Sequence, residues 1–307
     1  MMAILTWLGK HATGTMAAGV FLGLAVPELA ALAKPLLVPA IVVMLTMSLL
    51  RLEPAAIRRA AGSPLRILPA VALVLLVSPL LGFAAAEALD LDHGIATALV
   101  VWTASPPLIS VPAIAVLLGL DGALALMVTT VAGLLVPVTL PPIVFALIGL
   151  ELDISPTGLA LRLALLLAGA GLAAAAIRRV VGAARLQRHA PAIDGAFLLI
   201  MLLFAVAVMD GVTRTALTDP WRVAGLLALV FAVSLGMQAI GWAVFRPTGA
   251  RNAATLALVA GNRNMALVLG AAPAAFEPDG FLFLAMLQFP IYLLPALLKP
   301  LYRRAGI

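Results

Sequence analysis

The stretch VAGNRNMALVLGAA, Val259–Ala272, sets Asn262, Arg263 and Asn264 in the middle of an apolar run from Ala253 to about Phe276. A charge at the centre of a bilayer costs at least ~2.5–3.5 kcal/mol, so such a residue usually faces a protein-lined or watery cavity and has a role there. Gly261, followed by Arg263 with an Asn on either side, points to a helix that is interrupted at this level.

The rest of the composition agrees with a membrane setting. The chain of 307 residues is 64% hydrophobic and only 10% charged, with a mean hydropathy of +1.19. A soluble globule runs nearer ~25% charged. The expected class is an all-α polytopic protein of a cell inner or plasma membrane, with the lipid bilayer as its first partner. The chain has no cysteine, which excludes disulfides, thiolate metal sites and cysteine nucleophiles. His11, His93 and His189 fall near the ends of predicted spans, which argues against a buried histidine metal site. No metal and no cofactor is expected. The net charge of +6 is read as loop arginine rather than as a nucleic-acid surface.

A span needs ~20 mainly apolar residues. Ten fit, at about 14–33, 35–51, 64–88, 94–119, 121–149, 156–177, 192–210, 221–245, 251–276 and 279–302. Residues 1–13, with Lys10 and His11, read as a short interfacial segment without the cleavage pattern of a signal peptide. Basic loops alternate with acidic ones. Arg51, Arg58, Arg59 and Arg66 mark the 2–3 loop, and Arg178, Arg179, Arg185 and Arg188 the 6–7 loop. Arg246 and Arg251 mark the 8–9 loop, and Lys299, Arg303 and Arg304 the C-terminus. Glu87, Asp90 and Asp92, then Glu151 and Asp153, then Glu277 and Asp279 mark the opposite side. The loop bias therefore places both termini in the cytoplasm.

An offset of 158 residues lays spans four and five on spans nine and ten. Asp121-Gly122 falls on Asp279-Gly280, Pro137 on Pro295, and Pro142 on Pro300. The same offset lays Thr103–Pro107 on Gly261–Met265. Five spans per half is odd, so the halves have opposite topology, and inverted repeats with broken helices are a transporter pattern. In span four the break is written as Ser105-Pro106-Pro107-Leu108-Ile109-Ser110-Val111-Pro112. Each proline removes a donor and clashes with the preceding turn. The half-helix starting near Ser110 would turn N–H groups and a positive dipole end toward an anion.

At this point the chain resembles the bile acid:sodium symporter family over essentially its whole length. LLGLDGALALMVTTVAGLLVPVTLPP (117–142) is similar to the family's fourth-to-fifth span region, and GNRNMAL (261–267) to its ninth-span crossing motif. The resemblance implies one transporter domain over residues 1–307. A panel would be built from spans within 14–51 and 156–210. A core would be built from spans within 64–149 and 221–302, with helices four and nine broken where they cross. It also implies alternating-access transport of a small organic anion, usually driven by sodium.

The departures bear on the sodium. Where the family carries a Glu and a Gln around the ninth-span break, this chain has Val259 and Arg263; Asn264 is retained. In span four Ser110 matches the family's serine, while Val111 replaces its asparagine. Val74 stands where a span-three Gln is expected, and Thr129 fits a retained hydroxyl ligand. Most sodium ligands are gone, and two like charges ~4 Å apart at an effective dielectric near 20 repel by ~4 kcal/mol. The expectation is a sodium-independent carrier in which Arg263 replaces the cation, either bracing the crossing or pairing with substrate. Glu28, Glu87, Asp194 and Asp210 all sit near span ends, which disfavours proton coupling.

The candidate site is then Arg263, Asn262, Asn264, Ser105, Ser110, Thr129, Thr130, Gln238 and Gln288. Plainer readings exist for each. Arginines snorkel, serines and threonines bond to their own helix, and amides link helices. Catalytic signatures such as HExxH or GxSxG are absent from the sequence, and no filter or ring of charge suggests a channel. An auxin-efflux-like anion carrier, or a non-transporting sensor on the same fold, remain the alternatives.

Overall fold

Glycine and proline set the ends of the helices in the structure, a computed structural model that describes residues 12–51, 64–149, 154–273 and 276–304. Most of the 1–13 segment, Arg58 and Arg59 of the second loop, and Glu151 and Asp153 lie outside the described residues. The helices are α1 (Ala12–Ala25), α2 (Pro27–Ala33), α3 (Leu37–Arg51), α4 (Pro64–Ala72), α5 (Ser78–Ala88), α6 (His93–Ala104), α7 (Val111–Leu117), α8 (Gly122–Ile148) and α9 (Pro156–Val181). They continue with α10 (Ala183–Arg188), α11 (Ala190–Ala207), α12 (Val212–Thr218), α13 (Pro220–Phe245), α14 (Ala250–Gly261), α15 (Met265–Ala271), α16 (Pro278–Met286) and α17 (Gln288–Arg304).

Among the described residues seven helical segments are long and apolar enough to cross a membrane: Pro27–Leu50, Ile67–Ala88, Gly122–Ile148, Pro156–Val181, Ala190–Thr218, Pro220–Thr248 and Pro278–Tyr302. The chain is thus a multi-pass helical membrane protein. Of the other predicted spans, the first is divided between α1 and α2. The fourth is split into α6 and α7, and the ninth into α14 and α15. The boundary between the first two spans differs from the expected one at Lys34. The helix breaks at Val26 (φ −128°, ψ 77°), and Pro27 starts the next one, where a missing N–H costs nothing. Pro35 sits in a 3₁₀ turn, Lys34–Leu36, whose neighbours keep right-handed helical dihedrals, so the helix runs on into α3.

The chain divides into two compact units. One comprises Met1–Leu52, Leu165–Leu227 and Ala285–Leu293; the other Glu53–Ala164, Ala228–Leu284 and Leu294–Ile307. In the first, α11 packs on α1, α2 and α3. Gly19 and Gly23, four residues apart on α1, allow that approach. A Cβ on Gly19 would lie 2.6 Å from Leu202 Cδ1, and one on Gly23 would lie 2.8 Å from the Val206 carbonyl. Small residues at this spacing let membrane helices touch backbone to backbone. Lys34 pairs with Asp210 at 2.8 Å, and Thr213 Oγ1 donates to the Leu24 carbonyl at 2.7 Å.

In the second unit α8 is the spine. It packs on α4, α5, α6, α7 and α14. Asp121 caps it, Oδ1 accepting from the N–H groups of Ala123 and Leu124 at 3.0 Å each, and Gly149 in the left-handed region (φ 60°) ends it. The Asp121 N–H in turn donates to Thr255 Oγ1 at 3.0 Å, tying the start of α8 to α14. Both broken helices and the segment that holds them belong to this unit.

Candidate functional site: a braced helix crossing

The two breaks meet. α6 ends at Ala104 and α14 at Gly261, and the extended residues between the half-helices pair antiparallel, with Pro107 opposite Arg263. The Asn264 N–H donates to the Pro106 carbonyl at 2.7 Å, and the Leu108 N–H to the Asn262 carbonyl at 2.9 Å. In this register Pro107 occupies the pair that exchanges no hydrogen bonds, so its missing N–H leaves no gap in the ladder. Unwound backbone at membrane depth is tolerated only where protein or water satisfies it, and here each break supplies partners for the other. The prolines act differently from one another. Pro106 and Pro107 lie in the break, whereas Pro112 sits in the first turn of α7, as a helix start favours.

Arg263 is 1% exposed and its guanidinium lies among oxygens of four residues. Nε donates to the Ala260 carbonyl at 2.7 Å; Nη1 donates to the carbonyls of Val74 at 3.0 Å and Ser105 at 3.3 Å; Nη2 donates to Ser78 Oγ at 2.6 Å. Each acceptor is free for an identifiable reason. Between α4 and α5 the chain winds as a π-helix, Leu73–Val77. There the Ser78 N–H goes to the Leu73 carbonyl, and the next residue, Pro79, has no N–H to give Val74. The Ala260 carbonyl loses its helical donor because the Asn264 N–H has gone to Pro106. Ser105 is extended (φ −69°, ψ 152°) and lies past the end of its helix. The Ser78 hydroxyl donates to Leu73 at 2.7 Å while it accepts from the arginine. No carboxylate among the described residues lies within ion-pair distance of the guanidinium. The planar fork is matched wholly by neutral acceptors, a geometry that an ammonium would not fill.

The other predicted residues fall into four groups. Asn262 (1% exposed) and Ser105 (0%) are at the crossing, but their side chains bond back to their own helices, Asn262 Nδ2 to the Leu258 carbonyl at 2.8 Å and Ser105 Oγ to the Val101 carbonyl at 2.7 Å. Their backbone, not their side chains, builds the crossing. Asn264 and Ser110 are half-buried and precede α15 and α7 without a side-chain cap. Thr129, Thr130 and Gln238 are buried in the second unit, and Thr129 Oγ1 and both amide atoms of Gln238 have no hydrogen-bond partner. Gln288 is buried and belongs to the first unit. Ser78, Ser234 and the carbonyls of Val74 and Ala260 were not anticipated from sequence. Ser78-Pro79 in mid-span was the available signal for Ser78. The Val74 side chain gives no sign of the carbonyl's role.

Among the described residues no group of His, Asp or Glu has the arrangement of a metal site. The model of the Sodium Bile acid symporter family matches residues 38–219, more than half of the chain. No curated protein matches it.

Proposed function

This chain belongs to the Sodium Bile acid symporter family, and from that premise we propose that it is a secondary carrier of small organic anions that works by alternating access without sodium. The observation that carries the second half is the guanidinium of Arg263 among the Val74, Ser105 and Ala260 carbonyls and Ser78 Oγ. Oxygens converging on one point are what a sodium ion requires, and here a tethered cation uses them. A second cation beside it would meet a repulsion of ~4 kcal/mol at ~4 Å. The fixed charge also gives the unit a positive potential that favours an anion. The proposed architecture is ten spans in two inverted halves with both termini cytoplasmic. In its support, the 158-residue offset that relates the halves in sequence carries Pro106 onto Asn264, and these two residues are joined across the crossing. The protein is a carrier rather than an enzyme, as the family's transport activity suggests.

Uptake into proteoliposomes tests this. Taurocholate, pantothenate and pyruvate would be supplied as labelled solutes in sodium or in choline buffer. The expected result is saturable uptake of at least one of them, equal in the two salts. Uptake that appears only in sodium would overturn the sodium-free mechanism, and uptake of none would overturn the carrier reading in favour of a sensor.

A further inference from the structure

Among the described residues, the buried polar side chains that lack a hydrogen-bond partner are Thr97, Trp102, Thr129, Ser234 and Gln238, and all five lie in the second unit. Two of them are neighbours. Ser234 and Gln238 stand one turn apart on the same face of α13, 1% and 5% exposed. That face is pressed against Gly261, the last residue of α14. A Cβ there would lie 2.3 Å from Gln238 Cγ and 2.6 Å from the Ser234 carbonyl oxygen. Gly241, one turn further along α13, is likewise closed against Ala257 and Ala260. The polar pair is thereby held against Gly261, which lies two residues along the chain from Arg263.

The hydroxyl of Ser234 is unusual for its setting. Thr103, Ser105 and Thr255 each donate to a carbonyl one turn back, and Ser234 does not. A glutamine amide brings two donors and two acceptor lone pairs, and a hydroxyl brings one donor and two acceptor lone pairs. Groups of this kind are kept unmatched inside a membrane protein only at a cost, unless a ligand completes them. The pair carries no charge, so its complement is a neutral group that both donates and accepts. A hydroxyl is the smallest such group.

We propose that Ser234 and Gln238, closed by Gly261, form a subsite that reads a hydroxyl on the transported anion, so that hydroxy acids are preferred over their deoxy analogues. The inference rests on the carrier reading above and divides the work of recognition. The field of Arg263 favours the negative charge, while the guanidinium's donors are spent on the crossing. Ser234 and Gln238 select among anions of equal charge.

The test uses the purified full chain and matched anion pairs: lactate with propionate, 2-hydroxyisovalerate with isovalerate, and lithocholate with 5β-cholanate. Thermal stabilisation is titrated for wild type, Gln238→Leu and Ser234→Ala. For at least one pair, the hydroxylated member is expected to stabilise wild type at a concentration about tenfold lower than its partner, the worth of one added hydrogen bond. Gln238→Leu removes that preference, so that both members stabilise it at the same concentration, and a single cooperative melting transition without added anion shows that the variant is folded. Ser234→Ala narrows the preference. Equal stabilisation of wild type by both members of every pair overturns the subsite, as does a preference that survives in Gln238→Leu. A wild type that ignores all six anions overturns the carrier reading, and the subsite falls with it.

Discussion

Replacing Arg263 by alanine is the perturbation whose size the structure allows to be worked out. The change removes four hydrogen bonds and strands three carbonyls, those of Val74, Ser105 and Ala260. Ser78 Oγ is less affected, because it keeps its bond to Leu73. Three buried orphan acceptors at ~1–3 kcal/mol each give a gross loss of ~3–9 kcal/mol. Two effects reduce it. The charge no longer has to be desolvated, a saving of several kcal/mol, and the space left by the side chain admits water to the carbonyls. A net loss of ~3 kcal/mol follows, at the low end of the range. The assay is the thermal or denaturant stability of detergent-solubilised protein, with free guanidinium ion added at millimolar concentration, far below denaturing levels. Guanidinium is expected to recover much of the loss, because it alone reproduces the planar donor set, while tetramethylammonium recovers none. Arg263→Lys should fall between, since an ammonium keeps the charge and cannot span acceptors arranged for a fork. If Arg263→Ala is within ~0.5 kcal/mol of wild type, a change typical of an uninvolved surface position, or if guanidinium acts no better than tetramethylammonium, the brace is not what holds the crossing together.

Two further substitutions probe the scaffold. Gly261→Ala would place a Cβ 2.3 Å from Gln238 Cγ and 2.6 Å from a backbone oxygen, so α13 must shift. An overpacking cost of ~1–3 kcal/mol is expected in the same stability assay, whereas Gly133→Ala, which meets nothing within 4 Å, should be neutral or gain up to ~1 kcal/mol from helix propensity. Asp121→Ala removes the cap that holds the N–H groups of Ala123 and Leu124. It should cost ~0.5–2 kcal/mol, and hydrogen exchange should rise first at the start of α8.

The membrane class, the long helices and the place of the two breaks were legible in the sequence, because each rests on gross composition or on a proline or glycine that constrains its own backbone. Pro106 and Pro107 announce an interruption wherever they stand in an apolar run. The count of residues in the first two spans was less legible. Pro27 and Pro35 look alike in sequence, yet only Pro27 ends a helix, since a 3₁₀ turn absorbs the other. Arg263 stood out by charge, but its partners did not, because three of the four are main-chain carbonyls. A carbonyl becomes available through the winding of its own helix, and no residue type encodes that directly. Val74 is the clearest case. As a side chain it reads as the loss of a ligand. As a carbonyl freed by a π-turn and by Pro79 it is a ligand.

The same substitution bears on energy coupling. A dissolved sodium ion that binds on one side and leaves on the other delivers the free energy of its gradient in every cycle. A guanidinium that is part of the chain returns to its starting place, so its charge does no net work over a cycle, however strongly it favours the anion at either end. On the proposed reading the cation's contribution has been kept and the coupling removed. Arg263 still braces the crossing and still offsets the anion's charge, but the direction of transport then follows the anion's own gradient and the membrane potential, worth ~2.3 kcal/mol per charge per 100 mV. An inside-negative potential imposed with potassium and valinomycin should therefore slow uptake of a monoanion into the proteoliposomes and speed its efflux. A rate that is indifferent to that potential would mean that the anion's charge is compensated by an exchanged anion or a co-transported cation, and the tethered charge would then not account for the coupling.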